Sequence, residues 1–107
     1  MRTLMKINYY KGDDILLTEM DIDFVNNKVH IINHTDNSLD RAFGINEHPT
    51  IEDFEEFCEY RSIPQTRYDF KAEMRLRGIE DTSPLGIMLF YNGRITDDEF
   101  YIKVIEE

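Results

Sequence analysis

Apolar and polar positions follow a two-residue rhythm over the first third of the chain and a helical rhythm after it. Residues 3–10 are rich in apolar and aromatic side chains, and Lys11, Gly12, Asp13 and Asp14 supply turn chemistry behind them. Residues 15–24 read as a long second strand, closed by Asn26 and Asn27, which tolerate the left-handed backbone of a tight hairpin. Residues 28–33 form a third strand carrying Val29, Ile31 and Ile32. Two consecutive hairpins predict an antiparallel meander. In the second strand, Leu16, Thr18, Met20, Ile22 and Phe24 share one face, and Ile15, Leu17, Glu19, Asp21 and Asp23 share the other. The first face is expected to be the core face.

Polar residues 34–38 break the strand pattern, and Asn37 or Ser38 can cap a short helical turn ending at Gly44. Thr50 opens a clearer helix, with Asp53 in the capping-box place and Ile51, Phe54, Phe57 and Cys58 along one side. Pro64 suits the first position of a second helix running to about Arg77, with Phe70 and Met74 as a core pair and Gly78 as its stop. Ser83 and Pro84 start a third, short helix that turns Leu85, Met88 and Leu89 inward and ends before Gly93. Residues 99–105 alternate through Phe100, Ile102 and Val104 as a last strand. The predicted order β-β-β-α-α-α-β describes one α+β domain over residues 1–107, an antiparallel sheet with helices packed on one face.

Composition narrows the function. The 107 residues carry 22 Asp and Glu against 12 Lys and Arg, a formal net charge of -10. A general nucleic-acid binder needs the opposite balance to displace counterions, and an anionic membrane is disfavoured for the same reason. The longest apolar run, residues 86–91, is too short to cross a bilayer, and residues 1–7 hold no signal-peptide core. The single cysteine, Cys58, forms no internal disulfide and sits in the apolar helical stripe. These features predict a cytoplasmic protein.

Catalytic and metal chemistry find little purchase. His30 and His34 are four apart across a strand end, not on one helix face, and His48 stands apart in sequence. Glu19, Asp21 and Asp23 alternate like calcium ligands but lack the turn glycine and the twelfth-position glutamate. Nucleophile elbow, Walker loop and dinucleotide fingerprint are missing. No catalytic residue, metal or cofactor is therefore expected; a metal-dependent nuclease using Asp21 and Asp23 is the enzyme alternative.

The layout of charge is more informative. Glu19, Asp21 and Asp23 project from one strand face about 7 Å apart. Glu52, Glu55, Glu56 and Glu59 form a continuous helical stripe opposite the apolar side. Asp13, Asp14, Asp97, Asp98 and Glu99 add further acidic spots. The plain reading is a solvated face that keeps the protein soluble; the sharper one is a surface imitating a nucleic-acid backbone inside a basic groove. Tyr60 and Tyr68 border the stripe as candidate anchors. Arg61, Arg67, Lys71, Arg75 and Arg77 cluster behind it, expected to pair with the helix glutamates or with Asp69 and Glu73.

From Arg41 the chain also resembles a known pattern. An RAFG segment (Arg41 to Gly44), an acidic-aromatic helix, the step Arg61-Ser-Ile-Pro64-Gln-Thr-Arg67 and the ending Gly93-Arg94-Ile-Thr-Asp97-Asp98 are similar to small bacterial proteins of mobile elements and phages. Versions of the pattern occur beside HipA-like kinases, and the likeness covers residues 41–104. It implies a regulatory partner of such a kinase in a toxin–antitoxin arrangement, binding through the 61–77 helix face, and no kinase activity. In size and charge the chain is similar to anti-CRISPR proteins. That likeness implies a non-catalytic inhibitor that binds a type II RNA-guided nuclease and blocks guide RNA or target DNA engagement, without binding nucleic acid itself.

Overall fold

Two tight hairpins set the sheet. In the computed structural model, which describes residues 2–62, 72, 75–95 and 98–107, Gly12 and Asp14 take positive φ between β1 (Leu4–Lys11) and β2 (Ile15–Asp23). Asn27, at φ 54°, does the same between β2 and β3 (Lys28–Asn33). The closing strand, β4 (Phe100–Glu106), returns beside β1, giving a four-stranded antiparallel sheet of order β3-β2-β1-β4. The central strands are thus the first two in the chain, and the last strand closes one edge.

Between β3 and β4 lie a short 3-10 turn (Ser38–Asp40) and two α-helices, α1 (Ile51–Tyr60) and α2 (Pro84–Phe90). Each starts where a cap is encoded. Asn37 accepts from the Leu39 N–H; Thr50 and Asp53 form a reciprocal capping box; Ser83 accepts from the Gly86 N–H with Pro84 in the first turn. Three helices were expected, and two α-helices are found among the described residues. The expected middle helix, 64–77, with its core pair Phe70 and Met74, falls largely outside the described residues; Ala72, Arg75 and Leu76 are helical.

One core joins the sheet to both helices. Met5, Ile7 and Tyr9 of β1, Met20 and Ile22 of β2 and Ile102 of β4 pack with Phe54, Phe57 and Cys58 of α1 and Met88 of α2. Aromatic rings tie it together: Tyr9 stacks on Phe100 at 5.3 Å and meets Phe57 edge-on at 5.5 Å. The opposite sheet face is closed by Tyr10 stacked on Tyr101 at 5.4 Å, with the Arg94 guanidinium 4.2 Å from the Tyr101 ring. The Tyr101 hydroxyl donates to the Asp14 carboxylate, which also receives Lys103.

Two expectations about the core need correction. Leu17, not Leu16, joins it, because the pairing with β1 slips between Tyr9 and Tyr10, leaving Leu17 without a partner opposite. A bulge of one residue reverses the alternation of everything on its far side. Thr18, Met20 and Ile22 keep the expected inward phase. In α2, Ile87 is fully buried against Ile79 and Tyr91, on a side not assigned to the core, while Leu85 and Leu89 are only partly buried. The helix is apolar all round and is covered on more than one side.

Candidate protein-interaction surface

The acids assigned from sequence fall on two different surfaces. Because Thr18, Met20 and Ile22 face α1, their neighbours Glu19, Asp21 and Asp23 face away from it, across the thickness of the sheet. All three have partners within the molecule. Glu19 lies 2.6 Å from His34, and Asp21 lies 4.0 Å from Lys6. Asp23 accepts from the Val25 and Asn26 N–H groups, each at 3.0 Å, and from the Asn26 amide at 2.8 Å. The Asn26 side chain first, and then the Asn26 and Val25 N–H groups, hold the Asp23 carboxyl below the usual carboxylate range. This residue locks a turn.

The helical stripe is different. Glu52, Glu55, Glu56 and Glu59 are all exposed on the side of α1 opposite Phe54, Phe57 and Cys58. Among the described residues none of the four has a basic partner. The last turn of α1 carries no basic residue, so Glu59 sits against the negative end of the helix dipole. Local stability would favour a lysine there. Arg75, one of the cations expected to neutralise this stripe, is exposed without an ion pair among the described residues; Arg67, Lys71, Asp69 and Glu73 lie outside them, as does Tyr68. Tyr60 stands 69% exposed at the end of the same helix.

Arg61 is not part of any cationic surface. At the C-terminal cap of α1 it is 1% exposed, and it donates to both Asp98 carboxylate oxygens at 2.7 and 2.8 Å, to the Gly93 carbonyl at 2.8 Å and to the Phe100 carbonyl at 3.0 Å. Burial opposes its charge, but the Asp98 hydrogen bonds and the acidic surroundings hold it protonated above its ordinary pKa. In turn, the Arg61 guanidinium holds the Asp98 carboxyl below the usual range. Asp98 is therefore no free acidic spot, and Asp14 is engaged by Tyr101 and Lys103; Asp97 lies outside the described residues.

This pin had no local signal, since 37 residues separate its partners. It also explains the motif segments. Arg61 belongs to the first of the two late motifs and Gly93 and Asp98 to the second, and they meet in one hydrogen-bonded cluster. The RAFG segment is likewise structural. Arg41 donates to the Thr35 carbonyl at 2.8 Å, the Ala42 N–H donates to the Thr18 hydroxyl, Phe43 packs 5.6 Å from Phe57, and Gly44 turns at φ 59°.

Beside α1 two grooves open. One, of about 280 Å³, lies between the 42–46 turn and α1 and has Phe43, Phe57 and Tyr60 in its wall with Glu56 and Asp53. The other, also about 280 Å³, runs between α1 and the start of α2, past Phe24, Ile51, Glu55 and Leu85. Among the described residues no cluster of three His, Cys, Asp or Glu side chains is placed to hold a metal ion, and no helix is long and apolar enough to cross a membrane.

Comparisons with protein families, with curated proteins and with solved structures give no match to this chain.

Proposed function

We propose that this protein is a non-catalytic interaction protein that acts in the bacterial cytoplasm, using the acidic face of α1 to occupy a basic nucleic-acid groove on a protein partner. The partner class that fits best is a type II RNA-guided nuclease, which makes the protein an anti-CRISPR of a phage or mobile element. The observation that carries this reading is the exposed acidic stripe of α1, which has no basic partner among the described residues. From Glu52 to Glu59 the helix axis advances about 10.5 Å, in steps of about 4.5, 1.5 and 4.5 Å, so four carboxylates are concentrated along two turns of one helix face. Glu52 is favoured by the dipole in the first turn, but Glu52/Glu56 and Glu55/Glu59 repel at i, i+4 spacing and Glu59 opposes the dipole in the last turn, so local helix stability does not account for the stripe as a whole. The strand acids Glu19, Asp21 and Asp23 are engaged elsewhere and take no part.

The rival reading, a partner of a HipA-like kinase bound through the 61–77 face, loses its first cation because Arg61 is buried. The test is a cleavage and pull-down assay with purified type II nuclease, with and without guide RNA. Stoichiometric binding that stops cleavage supports the proposal, and the guide dependence identifies the blocked step. No binding in either state removes it.

A further inference from the structure

The groove between the 42–46 turn and α1 combines features that select one kind of side chain. Its floor is apolar and aromatic, formed by Ala42, Phe43 and Phe57, with the two rings 5.6 Å apart and tilted by 40°. Tyr60 stands at its edge, 69% exposed. Two carboxylates border it, with distinct duties. Asp53 is committed to the Thr50 N–H at 2.8 Å and the Asn46 amide at 3.1 Å, and the Thr50 backbone bond draws its carboxyl below the usual range. Glu56 is exposed and has no basic partner among the described residues.

We propose that this groove is a receptor for an arginine side chain presented by the cationic partner; the inference takes from the proposed function only that the partner surface is basic. An apolar occupant would strip water from Glu56 and Asp53 and return no hydrogen bond. A guanidinium satisfies both halves of the site, stacking flat on the aromatic floor while its fork donates to Glu56. Lysine fits less well, because its ammonium is more strongly hydrated and cannot stack as a plane. The molecule already uses this chemistry internally: Arg61 lies 6.0, 5.8 and 5.9 Å from the rings of Tyr9, Tyr60 and Phe100 while Asp98 receives its fork. The groove offers the same elements to a second arginine arriving from outside. Ile45, 86% exposed on the adjoining turn, adds apolar surface for the residues that flank it.

The test is a titration of the full-length protein with capped Gly-Arg-Gly, Gly-Lys-Gly and Gly-norleucine-Gly peptides, read from the NMR signals of the Phe43, Phe57 and Tyr60 rings. Saturable shifts of those rings with the arginine peptide are expected, with affinity weakened roughly fivefold or more for lysine and in Glu56→Gln, and no binding by norleucine. Glu56 is exposed, so Glu56→Gln keeps the remaining spectrum unchanged. Equal shifts from all three peptides, or arginine shifts unaffected by Glu56→Gln, overturn the inference. A nuclease that binds the protein while the arginine peptide leaves these rings unmoved removes the groove and keeps the proposed function. Ring shifts with arginine but no nuclease binding do the reverse.

Discussion

Asp98→Ala removes the only carboxylate among the described residues that contacts a guanidinium 1% exposed. Arg61 keeps its bonds to the Gly93 and Phe100 carbonyls but loses both short charge-assisted bonds, at 2.7 and 2.8 Å. Removing one partner of a buried ion pair costs about 3–5 kcal/mol, because the other charge stays in place uncompensated. Asp98 is 19% exposed, so water reaches part of the vacated space and the lower end, about 3 kcal/mol, is expected. A domain of this size has about 5–15 kcal/mol in total, so the variant retains the fold with a much reduced margin. The chain has no tryptophan, so urea unfolding at pH 7 is best followed by far-ultraviolet circular dichroism. Arg61→Met should also destabilise, yet the double variant Arg61→Met/Asp98→Ala should be at least about 1 kcal/mol more stable than the two losses added together, since no orphan charge remains. The reasoning is refuted by a loss under about 1 kcal/mol for Asp98→Ala, or by strict additivity in the double variant. Because the folded-state pKa of Asp98 is depressed, the stabilisation is complete above the ordinary carboxylate value of about 3.9 and is lost as pH falls through the lower folded value.

Other outcomes follow from the same geometry. Gly86→Ala should destabilise by about 1–3 kcal/mol although alanine is the better helix former, because a Cβ there runs into the side chain and carbonyl of Asp81; a thermal melt reads it. The Cys58 thiol is 1% exposed and burial pushes its pKa up to about 12, so iodoacetamide at pH 8 should label it only in denaturant; rapid labelling of the folded protein contradicts its placement. Thr50→Ala should cost about 1 kcal/mol through the lost cap on α1, checked by the urea midpoint. Charge reversal at Glu55 and Glu56 should leave the melting temperature unchanged or slightly raised, since it relieves like-charge repulsion along α1, and should weaken inhibition of the nuclease.

Much of the fold was readable where a residue type has a local duty. Asn27 at the hairpin, the Thr50–Asp53 box and the Ser83–Pro84 start each act within a few positions of themselves, and composition reports such duties directly. The bulge at Leu17 left no such trace. It is a single extra residue in a run of apolar side chains, and only the pairing of its neighbours Leu16 and Thr18 with Tyr10 and Tyr9 reveals it. Arg61 was misassigned for the same reason: at the end of an acidic helix, near four other cations, its spacing looks like a surface stripe, and its true partner arrives from the start of β4. The helical acids were correctly read as one exposed face, because a helix carries its own periodicity. Their separation from Glu19, Asp21 and Asp23 depended on which sheet face α1 covers, a matter of tertiary packing.

The central claim is that the α1 face, and not the outer face of the sheet, meets a basic groove. The most direct measurement compares nuclease binding by wild type, by Glu52→Gln/Glu55→Gln/Glu56→Gln/Glu59→Gln, and by Asp21→Asn, at two salt concentrations. The account predicts that wild type and Asp21→Asn bind alike and weaken with salt, while the four-site variant binds weakly with a much shallower salt dependence. Equal, salt-insensitive binding by all three would contradict it and leave the acidic stripe with solubility as its only role.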